Sequence, residues 1–241
     1  MAALIGTAGW SLPRAEQEHF AGPGSHLERY ASRFPVVEIN SSFHRSHRAA
    51  TWTRWRGSVP ESFRFSVKVP KAITHTRKLR ETDALLDAFM DEAGMLGSKL
   101  ACLLVQLPPS LAFDVAVATE FFKKLRARTP GAITCEPRHE SWFEADADEL
   151  LQTYEVARVA ADPARVPAAA SPGGWRGMSY YRLHGWPKVY YSTYSAAFIE
   201  SLAERLREER SAGRAVWVIF DNTTLGAATR NALDLTEALR V

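Results

Sequence analysis

Short apolar segments alternate with helical segments along nearly the whole chain of 241 residues. This alternation constrains the fold more than any other feature. The predicted strands are 4–9, 36–42, 63–70, 100–109, 133–137, 157–162, 178–185 and 215–222. The predicted helices are 25–33, 49–56, 82–96, 115–128, 145–155, 195–210 and 225–239. Strands that alternate with helices in this way form a parallel sheet, because each helix returns the chain to the edge where the next strand begins.

Eight strands, seven of them followed by a helix, predict an α/β fold, a single (β/α)8 TIM-type barrel domain spanning residues 1–241. Such barrels have about 250 residues, which fits this length. A doubly wound open sheet is the alternative. The chain has neither a G-x-G-x-x-G fingerprint after the first strand nor a G-x-x-x-x-G-K-[ST] motif, so a nucleotide-binding open sheet loses support. No repeat or linker divides the chain.

Composition and cysteine usage indicate an ordinary globular protein. The chain is 46% hydrophobic and 24% charged, and it has no apolar run of about 18 residues that would predict a membrane span. Cys102 and Cys135 lie inside apolar runs and are interpreted as reduced core thiols. With no signal-type segment after Met1, we expect a cytoplasmic protein. The net charge of +3 permits an anionic ligand but does not require nucleic acid.

Polar side chains end most of the predicted strands, and the stretch 132–143 is the clearest case. An apolar run that begins at Ala132 ends in Glu136, and Arg138 and Trp142 follow. Burying a charged group costs free energy unless it is paired. A strand that finishes in such groups is therefore expected to open into a site.

The alternation of side chains along a strand predicts which polar groups face the barrel interior. This inward set is Glu38, Asn40, Arg64, Ser66, Lys68, Gln106, Thr134, Glu136, Arg138, Asp162, Arg182, His184 and Asn222. Most of them lie near the C-terminal strand ends, where barrel enzymes build their active sites. Trp10 and Trp142 lie just past strand ends and are interpreted as pocket walls. An ion-pair network that merely fills the interior is the structural alternative.

Seven segments resemble the YecE-like family, the domain of unknown function 72: GTAGW, EINSSFHR, FRFSVKVPKAITH, QLPPS, CEPRHESWF, YYRLHG and FDNT. The resemblance covers essentially the whole chain and implies a TIM-type barrel with these segments around the strand ends. The motif residues that it implies are Trp10, Glu38, Asn40, Phe43, Lys68, His75, Gln106, Glu136, Arg138, Trp142, Arg182, His184 and Asn222. His44 replaces an expected tyrosine and Asp221 an expected asparagine. No activity comes with the resemblance.

The first functional hypothesis is an enzyme that acts on a phosphorylated or otherwise anionic small molecule. Arg138 and Arg182 are expected to hold the anion, because guanidinium groups suit phosphate and carboxylate. The other expected substrate-binding residues are Asn40, Gln106, Trp10, Trp142 and Asn222. Hydrolysis, isomerisation and lyase chemistry all remain open.

Five residues are candidates for catalysis in this hypothesis. Glu136 or Glu38 is expected to be the general base, and His184 or His75 the acid or electrophile. Lys68 holds the anion, or forms a Schiff base if neighbouring cations depress its pKa. Asp162 is a possible third carboxylate of the site.

A nucleic-acid-binding or phosphodiester-processing protein is the second hypothesis, and a non-catalytic ligand sensor is the third. The basic residues that would follow phosphates are Arg45, Arg48, Arg54, Arg56, Lys71, Arg77, Lys78 and Arg80. An ordinary solvated helix surface explains them better. The chain has no H-E-x-x-H motif and no paired cysteine motif, so neither a metal nor a cofactor is expected. The sequence does not indicate an oligomeric state.

Overall fold

The computed structural model describes residues 3–240, which contain ten strands and seven α-helices. The strands are β1 (Leu4–Ala8), β2 (Val36–Ile39), β3 (Arg64–Lys68), β4 (Leu100–Gln106), β5 (Ala132–Glu136), β6 (Val156–Arg158), β7 (Ala160–Asp162), β8 (Gly173–Gly174), β9 (Met178–Leu183) and β10 (Ala215–Phe220). The helices are α1 (His26–Ala31), α2 (Ala49–Gly57), α3 (Asp83–Ala93), α4 (Val115–Arg128), α5 (Ala145–Thr153), α6 (Ala196–Ser211) and α7 (Ala227–Ala238).

The strands form one sheet in the order β7-β9-β10-β1-β2-β3-β4-β5-β6-β8. Strand β6 pairs with β5, whereas β7 pairs with β9 at the opposite end of this order. Only Val159 separates β6 from β7, and its N–H donates to the Cys135 carbonyl at 2.8 Å. The segment 156–162 therefore bridges the two edges, and the sheet is a nearly closed barrel. The predicted fold class is confirmed.

The predicted sixth strand is the one that differs most from expectation. It is split into β6 and β7, and the short antiparallel strand β8, which pairs with β6, was not predicted. Parallel pairing joins the other seven predicted strands. In residues 3–240 no helix has the length and hydropathy needed to cross a bilayer.

Helix ends follow from local hydrogen bonds. Ser25 begins α1 with a capping box, since its hydroxyl accepts from the Glu28 N–H at 3.3 Å and the Glu28 carboxylate accepts from the Ser25 N–H at 2.6 Å. Helix α3 ends at Ala93, earlier than predicted, because a 3-10 turn (Gly94–Lys99) replaces its last turn and Gly97 has a φ of 59°. These termini fix where each helix packs on the barrel.

Two apolar layers follow from the alternation along the strands. Side chains such as Phe65 and Cys135 pack outward against the helices. Val36, Cys102 and Trp217 belong to a second cluster inside the barrel. This inner cluster fills the N-terminal part of the barrel, so the polar groups gather at the C-terminal mouth. Both cysteines are free and buried, as predicted.

Candidate functional site

Arg182, near the end of β9, is the centre of the mouth. Its Nε and Nη2 donate to Glu38 at 3.0 and 2.7 Å, and its Nη1 donates to Glu136 at 2.6 Å. Nη2 also donates to Asp221 at 2.9 Å. Burial opposes the charge on Arg182, but the three carboxylates outweigh this effect and hold its pKa well above the usual value. Arg182 therefore binds protein carboxylates with all three nitrogens, which argues against its expected role as the holder of an anionic ligand.

Glu136, the last residue of β5, is paired with three cations. Its Oε2 accepts from Arg182, and its Oε1 accepts from Arg138 at 3.0 Å and lies 3.3 Å from His184 Nε2. Glu136 is nearly inaccessible to solvent, since its side chain is only 2% exposed. Burial raises its pKa, but Arg182, His184 and Arg138 more than offset this and keep the pKa well below the usual value.

His184 follows β9 and lies between two carboxylates. Its Nδ1 is 3.0 Å from Asp221 Oδ2, and its Nε2 faces Glu136 Oε1. Burial lowers the pKa of His184, but these carboxylates raise it by more, so the net shift is upward. The imidazolium form satisfies both contacts, because each ring nitrogen then donates a proton.

Tyr180 and Ser66 form the floor of this ion network. The Tyr180 hydroxyl lies 2.8 Å from Glu38 Oε2 and 2.9 Å from Ser66 Oγ. Burial first, and Glu38 second, hold the pKa of Tyr180 well above the usual value, so the phenol stays protonated. Glu38 thus accepts from both Tyr180 and Arg182, and the network rests directly on the apolar interior.

Lys68, at the end of β3, differs from the other charged groups of the mouth. The residue is 8% exposed, and its Nζ lies 4.1 Å from the centre of the Phe43 ring. Among residues 3–240 the Lys68 amine makes no ion pair and no hydrogen bond. Burial first, and then the charge of Arg182, lower the pKa of Lys68 to about 8, against the opposing effect of the carboxylates. Lys68 therefore presents an amine at the mouth that no side chain or carbonyl of residues 3–240 accepts from.

His75 lies beside Lys68 on a π-helical turn (Ala72–Thr76), a local geometry that is frequent at functional sites. Its ring meets the Phe43 ring edge to face at 5.0 Å, and its Nδ1 lies 2.9 Å from Thr74 Oγ1. Burial first, and then the cations Lys68, Lys71 and Arg138, lower the pKa of His75. The half-buried ring is therefore neutral near pH 7.

A cavity of about 220 Å³ opens over the C-terminal ends of β5, β7 and β9. Its polar lining consists of Glu136, Arg138, Arg165, His184 and Tyr190. Within residues 3–240, no group of three or more His, Cys, Asp and Glu side chains is placed to hold a metal ion. The carboxylates of the mouth instead face arginine and histidine.

Two predicted inward residues face away from the mouth. Asn222 lies on the helix side, where its Nδ2 donates to the Ser192 carbonyl at 2.8 Å and to Asn231 at 3.0 Å. Asp162 also faces outward and accepts from the Tyr194 hydroxyl at 2.7 Å. The predicted inward orientation of Asn222 and Asp162 is therefore wrong. Asp221, and not Asp162, is the third carboxylate of the site.

The alternation of side chains along the strands predicts the observed orientation of both aspartates. Trp217 and Ile219 belong to the inner cluster, and continuing the same period past the end of β10 places Asp221 inward. Ala157 and Val159 are likewise inside, which predicts an inward Ala161. Tyr180 was also missed, although it precedes Arg182 by one period on β9.

Both tryptophans that were expected to line the pocket pack on the helix side instead. Trp142 is buried, donates from Nε1 to the Leu111 carbonyl at 2.9 Å, and meets the Phe113 ring edge to face. Trp10 packs edge to face on Trp55 at 5.1 Å. Burying large aromatic rings against the helices gains more apolar contact than a polar mouth allows. Neither tryptophan lines the cavity at the mouth.

The remaining predicted residues divide between the two ends of the barrel. Gln106 is buried beside Glu136 in the sheet register. Asn40 Nδ2 is 3.5 Å from Asp221, whereas its Oδ1 is buried without a hydrogen-bond partner. Arg64 lies at the opposite end, where it binds nearby backbone carbonyls. Gln106 and Asn40 thus belong to the mouth.

The basic residues of the nucleic-acid hypothesis are mainly exposed, and two of them form surface ion pairs. Arg77 pairs with Glu81 at 3.3 Å, and Arg80 pairs with Asp114 at 3.0 Å. Pairing reduces the charge that these arginines would offer to phosphates. The geometry therefore gives this hypothesis no added support.

Comparison with known proteins gives one family over the length of the chain. Residues 4–241 match the family model described as "Protein of unknown function DUF72". UPF0759 protein YunF of Bacillus subtilis (strain 168) is 25% identical over 268 residues, which cover 98% of this chain and 94% of YunF. UPF0759 protein YecE of Escherichia coli (strain K12) is 28% identical over 173 residues, 68% of this chain and 61% of YecE.

A crystal structure of a DUF72 family protein from Enterococcus faecalis V583 has the same fold. The TM-score is 0.83 at 22% identity, covering 100% of this chain and 96% of that chain. At this identity the match shows the fold alone. The family resemblance that the sequence motifs indicated is confirmed.

Proposed function

This chain belongs to the DUF72 family, and we propose that it is an enzyme that acts on a small phosphorylated or otherwise anionic molecule at the C-terminal mouth of the barrel. The charged side chains of the mouth are unevenly paired, and this supports the proposal. Arg182, Arg138 and His184 pair with the carboxylates around them. The Lys68 amine has no acceptor among residues 3–240, and this single observation carries the proposal.

The ion network acts as a rigid frame in this proposal. Each carboxylate oxygen of Glu38 accepts a hydrogen bond from Arg182, and Glu136 has a lowered pKa that makes it a weak base. His184 has both ring nitrogens on carboxylates. We therefore assign positioning roles to these residues, in place of the general-base and acid roles that the sequence suggested.

We assign the transfer of protons to and from the substrate to Lys68 and His75. A pKa of about 8 leaves part of the Lys68 population deprotonated near neutral pH, which suits an acid–base group or an amine nucleophile. His75 is neutral and half-exposed, so it can accept a proton from a ligand. Both side chains contact Phe43, which places the two groups on one side of the mouth.

Arg138 holds the anionic group of the substrate. Its Nε and Nη2 donate to Glu136, which fixes the guanidinium plane, and the Tyr190 side chain lies beside it. Its side chain is partly exposed and lines the cavity. A guanidinium oriented by a buried carboxylate is well suited to phosphate or carboxylate recognition.

A titration of inorganic phosphate tests the proposal. The Lys68 pKa is measured by NMR of the lysine side chain with and without phosphate, and binding is measured by calorimetry. We expect phosphate to raise the Lys68 pKa, because a nearby anion favours the ammonium form. Lys68→Met and Arg138→Met should each weaken binding at least tenfold, whereas the exposed helix residue Lys123→Met serves as the control. Binding that is unchanged in both variants, or absent in the wild type, would overturn the proposal.

A further inference from the structure

We infer that the anionic ligand also carries a single planar ring, and that this ring packs against Tyr190 at the edge of the mouth. The inference rests on the proposed function and narrows its substrate class. Its basis is the segment 186–191, which follows β9 and His184 and borders the cavity.

Exposed apolar side chains are concentrated in this segment. Within residues 3–240, seven large hydrophobic side chains are exposed, and four of them are Trp186, Val189, Tyr190 and Tyr191. Trp186 is 63% exposed and Tyr190 is 39% exposed. Scattered exposed apolar residues are normal, but a contiguous group beside a polar cavity marks a binding surface.

The backbone holds Tyr190 in a conformation that bulky residues rarely adopt. Its φ is 69°, in the left-handed region that favours glycine. Its N–H donates to the His184 carbonyl at 2.5 Å, and its own carbonyl accepts from the Thr224 N–H at 3.1 Å. Such strain persists where the surroundings fix the residue, and it concentrates at ligand clamps and active sites.

The Tyr190 ring connects the ion network to the cavity. It meets the His184 ring edge to face at 5.6 Å, and it lines the cavity together with Val189. Burial lowers the pKa of Arg138, but Glu136 and the neighbouring Tyr190 hydroxyl raise it by more. A ligand anion on Arg138 therefore has the Tyr190 ring as its neighbour.

The cavity volume limits the size of the ring system. Pockets for drug-sized ligands measure about 300–1,000 Å³, and this cavity measures about 220 Å³. It accommodates one ring and its anionic group, in the manner of an aryl phosphate or aryl carboxylate.

Three probes test the inference: inorganic phosphate, phenyl phosphate and cyclohexyl phosphate. We expect the wild type to bind phenyl phosphate about tenfold more tightly than phosphate, with cyclohexyl phosphate in between, since aromatic pairing adds to simple apolar burial. Tyr190→Phe should keep this advantage and Tyr190→Leu should lose it. Tyr191→Leu is the matched control, because the Tyr191 ring is covered by Lys188 at 4.0 Å.

The outcomes separate the inference from the proposed function. The inference is overturned if the wild type binds phenyl and cyclohexyl phosphate equally tightly, or if the advantage of phenyl phosphate survives in Tyr190→Leu. In either case the proposed function stands as long as inorganic phosphate binds. No binding of any probe overturns both. If Tyr190→Leu does not fold, intermolecular NOEs in the wild type decide: contacts from phenyl phosphate to the Tyr190 ring support the inference, and their absence contradicts it.

Discussion

Arg182 and Glu38 form a two-point ion pair across the barrel, with Arg182 Nε 3.0 Å from Oε2 and Nη2 2.7 Å from Oε1 of Glu38. Both residues are fully buried. They come from β9 and β2, which β10 and β1 separate in the sheet, so the pair ties opposite parts of the barrel together. Removing one partner of a buried pair leaves an uncompensated charge.

Arg182→Met should therefore lower the free energy of unfolding by about 3–5 kcal/mol. The variant leaves three carboxylates facing each other without their shared cation. Urea unfolding at pH 7 measures the change. Arg230→Met is the control, since its ion pair with Asp234 is exposed and should contribute less than about 1 kcal/mol. A loss in Arg182→Met no larger than in this control would contradict the structural role.

Lys68→Met should raise the free energy of unfolding at pH 7 by about 1–3 kcal/mol. The Lys68 pKa falls from 10.5 to about 8 on folding, and each unit corresponds to about 1.4 kcal/mol against the charged form. The cost is fully present below about pH 8 and disappears above the unfolded pKa, so the gain should vanish at high pH. Unfolding curves across this range provide the measurement.

Lys99→Met is the matched control for that experiment. Lys99 is as buried as Lys68, but its Nζ donates to the carbonyls of Arg56 and Val59 at 2.9 and 2.7 Å. Its removal leaves two buried acceptors without a donor and should destabilise the protein. If both variants lose stability to the same extent, the prediction that the charged Lys68 side chain destabilises the folded protein is contradicted.

The contribution of His184 to stability should depend on pH. Its pKa is raised in the folded protein, because Glu136 and Asp221 outweigh the effects of burial and Arg182. The contribution is then fully present below the unfolded pKa of about 6.5 and is lost as pH rises through the folded pKa. The difference in unfolding free energy between the wild type and His184→Gln should shrink as the pH rises above about 6.5. A constant difference would indicate that His184 is neutral throughout.

Tyr180→Phe should cost about 1.5–3 kcal/mol, because a buried hydrogen bond to the charged Glu38 is lost. Tyr181→Phe on the same strand is the control, since its hydroxyl makes a longer contact of 3.4 Å to Glu209 near the surface. Thermal or urea unfolding of the two variants gives the comparison. Similar small losses in both would mean that Glu38 does not depend on Tyr180.

The sequence by itself determined the fold and the location of the polar mouth. Strand and helix periods are local properties, and they predicted eight strands around one barrel. The same alternation placed Glu38, Lys68, Glu136, Arg182 and His184 inside, where the structure has them. The motifs also indicated the family, because their order along the chain is specific in combination.

Only the tertiary structure decided how the charges of the mouth are shared. Pairing depends on distances between side chains from different strands, which no local pattern contains. The sequence treated Arg138, Arg182 and Lys68 as equivalent cations. In the structure Arg182 pairs with three carboxylates, whereas no carboxylate of residues 3–240 lies within ion-pair distance of Lys68. The contacts of Asp221 with both Arg182 and His184 likewise depend on how neighbouring strands are staggered. The free energy of burying each cation therefore depends on contacts that form only in the folded barrel.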